Sequence, residues 1–168
     1  MKAFLPDMHF SDIYSIDLAV LEERGIKCIF LDLDNTLVPH NCAVVPERLV
    51  QWIRMIRESG FLIKVLSNNN EKRVKGFCDT LDIPFSSGAN KPFKAVFLKS
   101  AGELGFVPRE CAVIGDQIYT DIWGGNRSGM LTVHVEPVQL REGLFFKFKR
   151  LLETPVIRKI KSGKGDLK

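Results

Sequence analysis

The chain has 168 residues, 45% of them hydrophobic and 26% charged, with a formal net charge of +4. This length suits one domain with a substantial core and is short for two ordinary domains. We find no apolar run of about 18 residues, as a transmembrane helix needs, and residues 1–17 lack the apolar stretch of a signal peptide. Four scattered cysteines without a Cys-x-x-Cys pair favour a cytoplasmic protein in a reducing environment.

Short apolar runs alternate with segments of helical periodicity along the chain. A helix is predicted in "SDIYSIDLAVLEERG", within residues 1–25. Strands are then predicted at 27–34, 61–67, 83–87, 111–116 and 131–135, and helices at 46–60, 70–82 and 94–105. This alternation is typical of a parallel sheet covered by helices on both faces. We therefore expect a doubly wound, Rossmann-like α/β fold with a mainly parallel five-stranded sheet.

Three acids follow two of the predicted strands. Asp32 and Asp34 end the first strand, and Asp116 ends the fourth. Like charges buried side by side are costly, so a cation is expected between them. Mg²⁺ prefers oxygen ligands of this kind, and we predict a magnesium site here. The alternative is that Asp32 and Asp34 only cap the turn that follows.

Four motifs then occur in an order that resembles the haloacid dehalogenase (HAD) superfamily. "DLDNT" at 32–36 matches the signature D-x-D-x-T, and "LSNN" at 66–69 resembles the second motif. Lys91 in "GANKP" resembles the third-motif lysine, and "GDQIYTD" at 115–121 the fourth motif, G-D-x-x-x-x-D. The resemblance covers residues 25–136 and implies the HAD fold.

The resemblance also implies a mechanism. Asp32 would be the nucleophile that forms an aspartyl-phosphate, and Asp34 the general acid and then the general base. An acid two residues after the nucleophile is typical of the phosphatases, since the transport ATPases carry Thr there and the dehalogenases lack the second Asp. Mg²⁺ would be held by the side chains of Asp32 and Asp116 and by the main-chain carbonyl of Asp34.

Three residues would bind the substrate phosphate. Ser67, with the main-chain N–H near Asn68, would hold the transferring phosphoryl group, and Lys91 would neutralise its charge. Lys94 and Lys99 compete for that role, but we interpret them as surface lysines because Lys91 alone precedes a proline, as in the family.

Thr36 and Asp121 would support the site. For Asp121 an acid at a helix start remains the alternative. His40 is interpreted as a loop histidine, although it follows the first motif and could lie near the mouth of the site. The Gly-rich segment 124–129 is not expected in an ordinary helix interior. It either approaches the catalytic loop or forms a helix end and turn.

The spacing of the motifs leaves no room for the cap domain that large family members carry. One loop, one helix and one strand separate Asp34 from Ser67, and a helix and a short strand separate Ser67 from Lys91. An open site suits a large substrate or cover by another subunit, so an oligomer is possible. "VPHNCAVV" at 38–45 is the candidate for a small flap.

Within the superfamily, the chain resembles subfamily IIIA and its bacterial YqeG-type proteins, which are related to mitochondrial phosphatidylglycerophosphate phosphatases. "LDLDNTLVP", "SNN", "NKP" and "GDQIYTDIWGGNRSGM" carry this resemblance. It implies a lipid head-group phosphomonoester as substrate. A soluble sugar phosphate, nucleotide or phosphoprotein is the alternative substrate. A non-enzymatic binding module is the alternative class, disfavoured by the intact acids and Lys91.

The positive charge belongs to the C-terminal segment. Residues 1–140 carry 15 Lys and Arg against 17 Asp and Glu (net −2), and residues 141–168 carry 9 against 3 (net +6). We therefore divide the chain into a phosphatase domain, 1–136, and a basic amphipathic tail, 137–168. Residues 141–168 leave two alternatives open: contact with the anionic inner face of the cell membrane, or an apolar stripe docked on the core with the basic residues in solvent. Nucleic acid is not an expected partner.

Overall fold

The computed structural model describes residues 2–40, 42, 44–139 and 153–159. In this part of the chain, six strands form one sheet: β1 (Met8–Phe10), β2 (Cys28–Leu31), β3 (Leu62–Leu66), β4 (Phe85–Ser86), β5 (Cys111–Gly115) and β6 (Leu131–Val135). Their order is β1-β6-β5-β2-β3-β4, and every neighbouring pair is parallel. The α/β parallel-sheet prediction is confirmed, but the expected five strands are six.

β1 is the strand that the sequence pattern does not predict. It is three residues long and only partly buried, and it pairs with β6 through Met8 and Val133, His9 and His134, and Phe10 and Val135. A three-residue segment with a central histidine has too little periodicity to be told from a loop. Its strand conformation comes from pairing with β6.

Five α-helices lie within the described residues up to 139: α1 (Leu18–Glu23), α2 (Glu47–Glu58), α3 (Glu71–Leu81), α4 (Lys94–Glu103) and α5 (Trp123–Ser128). The predicted N-terminal helix is shorter than expected and is preceded by a 3₁₀ turn, Ile13–Ser15. The break comes at Asp17, whose carboxylate accepts a hydrogen bond from the main-chain N–H of Ala19. This cap begins α1 at Leu18.

Alternate residues of the central strands face opposite sides of the sheet. Leu31 of β2 lies in the larger core with Trp52 of α2, whereas Phe30 lies in a second cluster with Phe97 of α4. Both faces are therefore covered by helices, as a doubly wound sheet requires. This arrangement leaves the ends of the strands, rather than the faces, for a site.

The strand order reverses between β2 and β5. From β2 the chain builds β3 and β4 on one side, and then returns to place β5 and β6 on the other. Asp32 follows β2 and Asp116 follows β5, so the two acids flank this crevice. Ligands of open α/β sheets bind at such a switch point.

The described intervals between the motifs hold no cap domain. From Asp34 to Ser67 the chain forms a loop, α2 and β3, and only residues 41 and 43 of this interval lie outside the description. From Ser67 to Lys91 it forms α3 and β4. In this part of the chain no inserted domain covers the strand ends.

The Gly-rich segment is helical, contrary to the expectation for its composition. Gly124 lies inside α5, where a larger residue would not fit. A methyl group there would be 2.4 Å from the ring of Phe97 and 3.2 Å from Cα of Pro92. The segment thus approaches the chain just after Lys91, and it also ends the helix, since Gly129 has φ 76°. The two alternatives for residues 124–129, an approach to the catalytic loop and a helix end with a turn, therefore each describe part of this segment.

Residues 153–159, a piece of the predicted tail, are helical. Val156 packs against Ile118 and Ile122, which are buried next to the fourth motif. The predicted amphipathic stretch lies within 141–152, outside the described residues, so the domain boundary at 136 stays a prediction. No described helix is both long and apolar enough to cross a membrane.

Candidate active site

Lys91 joins two acids at the centre of the site. Its Nζ lies 2.6 Å from Oδ1 of Asp32 and 2.6 Å from Oδ1 of Asp121. All three side chains are buried, so these ion pairs are weakly screened. Lys94 and Lys99 are exposed on α4. The structure therefore places Lys91, and neither competitor, against the predicted nucleophile.

Thr36 links the two acids at the switch point. Its hydroxyl lies 3.3 Å from Oδ2 of Asp32 and 3.2 Å from Oδ1 of Asp116, and it accepts a hydrogen bond from the main-chain N–H of Asp116. A hydroxyl has one proton to donate, so it serves one carboxylate at a time. Thr36 thus fixes the loop after β2 to the end of β5, as its supporting role predicts.

The acids outnumber the cation in this cluster. Burial raises the pKa of Asp32 to about 6, with Lys91 opposing the shift and the charges of Asp121 and Asp34 adding to it. Burial, followed by the charges of Asp32 and Asp121, raises the pKa of Asp116 well above its usual range. Burial opposes the charge of Lys91, but the two acids at its Nζ raise its pKa. The cluster holds three carboxylic acids and one ammonium group, which pairs with only two of them, so negative charge is left uncompensated.

A divalent cation fits this donor set. Ligand atoms of Asp32, Asp116 and Asp121 lie within 4.8 Å of one another. Carboxylate oxygens are the ligands that hard divalent cations prefer, and a dication would offset the repulsion that raises the pKa values of Asp32 and Asp116. Asp32 and Asp116 are thus brought together as predicted, whereas the use of the Asp34 carbonyl stays a prediction.

Asp121 is bound on both of its oxygens. Oδ1 pairs with Lys91, and Oδ2 accepts from the main-chain N–H of Gln117 and lies 3.4 Å from Oγ1 of Thr120. It lies in a π-helical turn, Ile118–Ile122, that folds its carboxylate back over Gly115. A methyl group on Gly115 would be 2.4 Å from that carboxylate, so only glycine fits there. Asp121 therefore holds Lys91 in place, and the helix-start alternative does not describe its contacts.

Ser67 and Asn68 end β3 beside Lys91. Ser67 is buried, and its Oγ accepts a hydrogen bond from the main-chain N–H of Asn69. The amide of Asn68 accepts from the N–H of Lys91 at 2.7 Å and donates to the carbonyl of Lys91 at 3.0 Å. Because both amide atoms bind the main chain of Lys91, Asn68 positions the lysine. Phosphate binding by Ser67 and the N–H near Asn68 stays a prediction.

Asp34 has different surroundings from Asp32, although two residues separate them. Its Oδ2 accepts a hydrogen bond from the amide of Asn69 at 2.8 Å. Its Oδ1 lies 3.2 Å from Nη2 of Arg73 and 3.4 Å from Nδ1 of His40. His40 lies in a loop, as interpreted, and its contact with Asp34 also supports the alternative that it lies near the mouth of the site.

Arg73, Asn69 and the contact of His40 are what the sequence reasoning missed. One signal was available, because α3 begins directly after the second motif and its first turn must lie at the strand ends. An arginine in that turn, such as Arg73, is placed to reach the acids. The contact of His40 depends on how the loop after Asp34 folds, which no periodicity encodes.

A bacterial relative is similar along almost the whole chain. "Probable phosphatase YqeG" of Bacillus subtilis (strain 168) is 39% identical over 160 residues, covering 95% of this chain and 93% of that protein. The chain belongs to the HAD superfamily, in its YqeG-type group of phosphatases. A family model described as HAD-hydrolase-like matches residues 88–137, which contain Lys91, Asp116 and Asp121. The protein is therefore a phosphatase, and the non-enzymatic alternative is set aside.

Two further relatives are more distant. "Phosphatidylglycerophosphate phosphatase 1, chloroplastic/mitochondrial" of Arabidopsis thaliana is 28% identical over 92% of this chain, which spans about half (47%) of that protein. The cobalt-bound deoxy-D-mannose-octulosonate 8-phosphate phosphatase of Haemophilus influenzae superposes with a TM-score of 0.51. It is 17% identical and covers 86% of this chain and 98% of its own, which confirms the fold.

Proposed function

We propose that this protein is a Mg²⁺-dependent phosphomonoester hydrolase that forms an aspartyl-phosphate on Asp32 and converts phosphatidylglycerophosphate to phosphatidylglycerol. One observation supports the chemistry. The buried carboxylate of Asp32 lies at the switch point, is paired with Lys91, and belongs to a cluster with more acidic groups than basic ones. This arrangement suits a group that attacks phosphorus and a site that binds a dication together with a phosphate.

In the first step, an oxygen of Asp32 attacks phosphorus and the bond from phosphorus to the leaving oxygen breaks. Asp34 gives its proton to that oxygen, so the product leaves as a neutral alcohol. Lys91 lies 2.6 Å from the attacking carboxylate and stabilises the negative charge on the transferring group. Asp121 keeps the ammonium group in place while Asp32 is esterified.

In the second step, Asp34 takes a proton from water, and the water oxygen attacks phosphorus. The bond between phosphorus and Asp32 breaks, which releases inorganic phosphate and restores the carboxylate. The contacts of Asp34 with Arg73 and with the half-exposed His40 support this assignment of both transfers. Asp32 and Asp116 would hold a Mg²⁺, which would supply positive charge against the phosphate oxygens.

The lipid substrate rests on two supports. The Arabidopsis relative, named for phosphatidylglycerophosphate, is similar over 92% of this chain. The strand ends carry no cap among the described residues, so a phosphate at a bilayer surface has access. We place the enzyme at the inner face of the cell membrane, with the basic residues of 141–168 as the membrane contact.

Release of inorganic phosphate from a substrate panel tests the function. The panel holds phosphatidylglycerophosphate in mixed micelles, sugar phosphates, nucleotides and phosphopeptides, each with Mg²⁺ and with chelator. We expect Mg²⁺-dependent turnover of the lipid with the highest kcat/KM. Good turnover of a soluble ester without turnover of the lipid overturns the substrate and keeps the phosphatase.

Flotation with anionic vesicles tests the membrane contact. The full chain is compared with a chain that ends at residue 140, and both are tested with neutral vesicles as the control. We expect the full chain alone to float, and only with anionic lipid. Equal flotation of both chains removes the role of 141–168.

A further inference from the structure

Arg73 joins three parts of the molecule that meet at the mouth of the site. Its guanidinium group donates to the carbonyl of Cys42 at 2.6 Å and lies 3.5 Å from the carbonyl of Pro39. The same group lies 3.2 Å from Oδ1 of Asp34. α3, the loop after Asp34 and the acid itself are thus connected by one planar group.

The main chain of Arg73 is also fixed. Asn70 is the N-cap of α3, and its side chain accepts a hydrogen bond from the N–H of Arg73 at 3.0 Å. The side chain of Arg73 lies toward Phe77, with the guanidinium carbon 5.8 Å from the centroid of the ring. Its side chain is only 19% exposed. The guanidinium position is therefore set from both ends.

The carboxylate of Asp34 is held on both oxygens, by Arg73 and His40 on Oδ1 and by Asn69 on Oδ2. Each carboxylate oxygen has two lone pairs, so these contacts leave a site for proton exchange with a leaving group or a water. An acid held in this way keeps one direction toward the substrate, and proton transfer depends steeply on that direction.

We propose that Arg73 is a positioning residue for the proton transfers of Asp34, and that it holds the acid and the loop after it in the productive orientation. This inference rests on the proposed role of Asp34 as the general acid, but not on the lipid substrate. A purely structural arginine would stabilise the fold without changing how the rate depends on the leaving group.

Three substrates of similar size isolate the proton transfer: p-nitrophenyl phosphate, phenyl phosphate and benzyl phosphate. The p-nitrophenolate group leaves without being protonated. The phenolate group depends on protonation to a greater extent, and the benzyl alkoxide depends on it most. We measure kcat/KM for each, because it reports the steps up to release of the alcohol and leaves out the later hydrolysis of the phosphoenzyme.

Four single variants and one double variant are compared with the wild type. For Asp34→Asn, we expect a loss of about 10²–10⁴-fold on benzyl phosphate and a much smaller loss on p-nitrophenyl phosphate. For Arg73→Ala, we expect a loss of about 10–100-fold on benzyl phosphate with the same dependence on the leaving group. Arg73→Lys keeps the charge but not the planar group, and should lie between Arg73→Ala and wild type.

Arg57→Ala is the matched control. Arg57, in the last turn of α2, also joins two elements, since its guanidinium group donates to the carbonyls of Leu81 and Asp82, but these lie at the C-terminal end of α3, away from Arg73. We expect its ratio of kcat/KM on benzyl and p-nitrophenyl phosphate to equal the wild-type ratio. In Asp34→Asn, adding Arg73→Ala should cause little further loss on benzyl phosphate, because the group it positions is gone.

Two results would overturn the proposal, and they differ. Equal losses on all three substrates in both Arg73 variants, with the expected pattern in Asp34→Asn, would reject Arg73 as a positioning residue and leave the mechanism intact. An unchanged ratio in Asp34→Asn itself would reject Asp34 as the acid and the inference with it. Where Arg73→Ala lowers the folded fraction, Arg73→Lys decides.

Discussion

The site has two halves that differ in charge. The inner half, around Asp32, has three acids, two of them buried and one half-buried, and one ammonium group, whereas the outer half, around Asp34, has one acid facing an arginine, a histidine and an amide. The excess negative charge of the inner half favours binding of a divalent cation. The single acid of the outer half is already hydrogen-bonded and does not require one. This difference supports the proposal that Asp32 attacks phosphorus and that Asp34, two residues later, transfers protons.

The largest expected effect is the loss of the nucleophile. Asp32→Asn keeps the shape of the side chain but cannot form the aspartyl-phosphate, so we expect kcat on any substrate to fall by at least about 10⁴-fold. Phosphate release with Mg²⁺ measures it. Asp34→Asn is the control from the outer half, and it should still release a burst of p-nitrophenolate from p-nitrophenyl phosphate, because only the later hydrolysis of the phosphoenzyme needs its base. Comparable activity of Asp32→Asn and wild type would remove the distinction between the halves.

Binding of Mg²⁺ should stabilise the folded protein through residues of the inner half and not through those of the outer half. At about 100 times Kd a ligand adds roughly 2.7 kcal/mol to stability, so the Tm of the wild type should rise by several degrees. Thermal unfolding with Mg²⁺ and with chelator measures the rise. Asp116→Asn should abolish it and Asn69→Ala should retain it. An undiminished rise in Asp116→Asn would contradict the predicted ligand set.

The raised pKa of Asp32 predicts how the metal-free protein responds to pH. Because the folded protein holds this proton more tightly than the unfolded chain, stability should fall as pH rises from about 4 to about 6. The Asp32 contribution is on the order of 2–3 kcal/mol, and Lys91 stays charged across this window. Urea unfolding in chelator at several pH values measures it. Asp32→Asn should lose this component, and an identical profile for both proteins would contradict the assignment.

The smallest expected effects separate two neighbouring asparagines. Asn68 binds the main chain of Lys91 in the inner half, and Asn69 binds Asp34 in the outer half. Each alanine variant should lower kcat/KM by about 3–30-fold, as the loss of one or two hydrogen bonds implies. The loss in Asn68→Ala should be equal on benzyl and p-nitrophenyl phosphate, whereas in Asn69→Ala it should be greater on benzyl phosphate. The reverse pattern would exchange the halves to which they belong.

The sequence predicts the inner half better than the outer half. Parallel strands end at one edge of a sheet, so residues that follow strands, such as Asp32 and Asp116, can be brought together by pattern alone. The third motif predicts that Lys91 lies in the site, and its ion pairs with Asp32 and Asp121 are consistent with that position. The outer half forms where a loop folds onto the first turn of α3, and the contacts of Arg73 and His40 require the path of that loop. The strand β1 was missed for a related reason, since its pairing partner lies more than 120 residues away.

Asn68 and Asn69 also limit the length of the chain between β3 and α3. Successive residues at the end of a strand point to opposite sides, and here one side holds the lysine loop and the other holds the acid. Inserting or deleting one residue before Asn68 would turn each amide toward the wrong partner. Surface loops usually accept such changes of length. In this connection, the number of residues should matter as much as their identity.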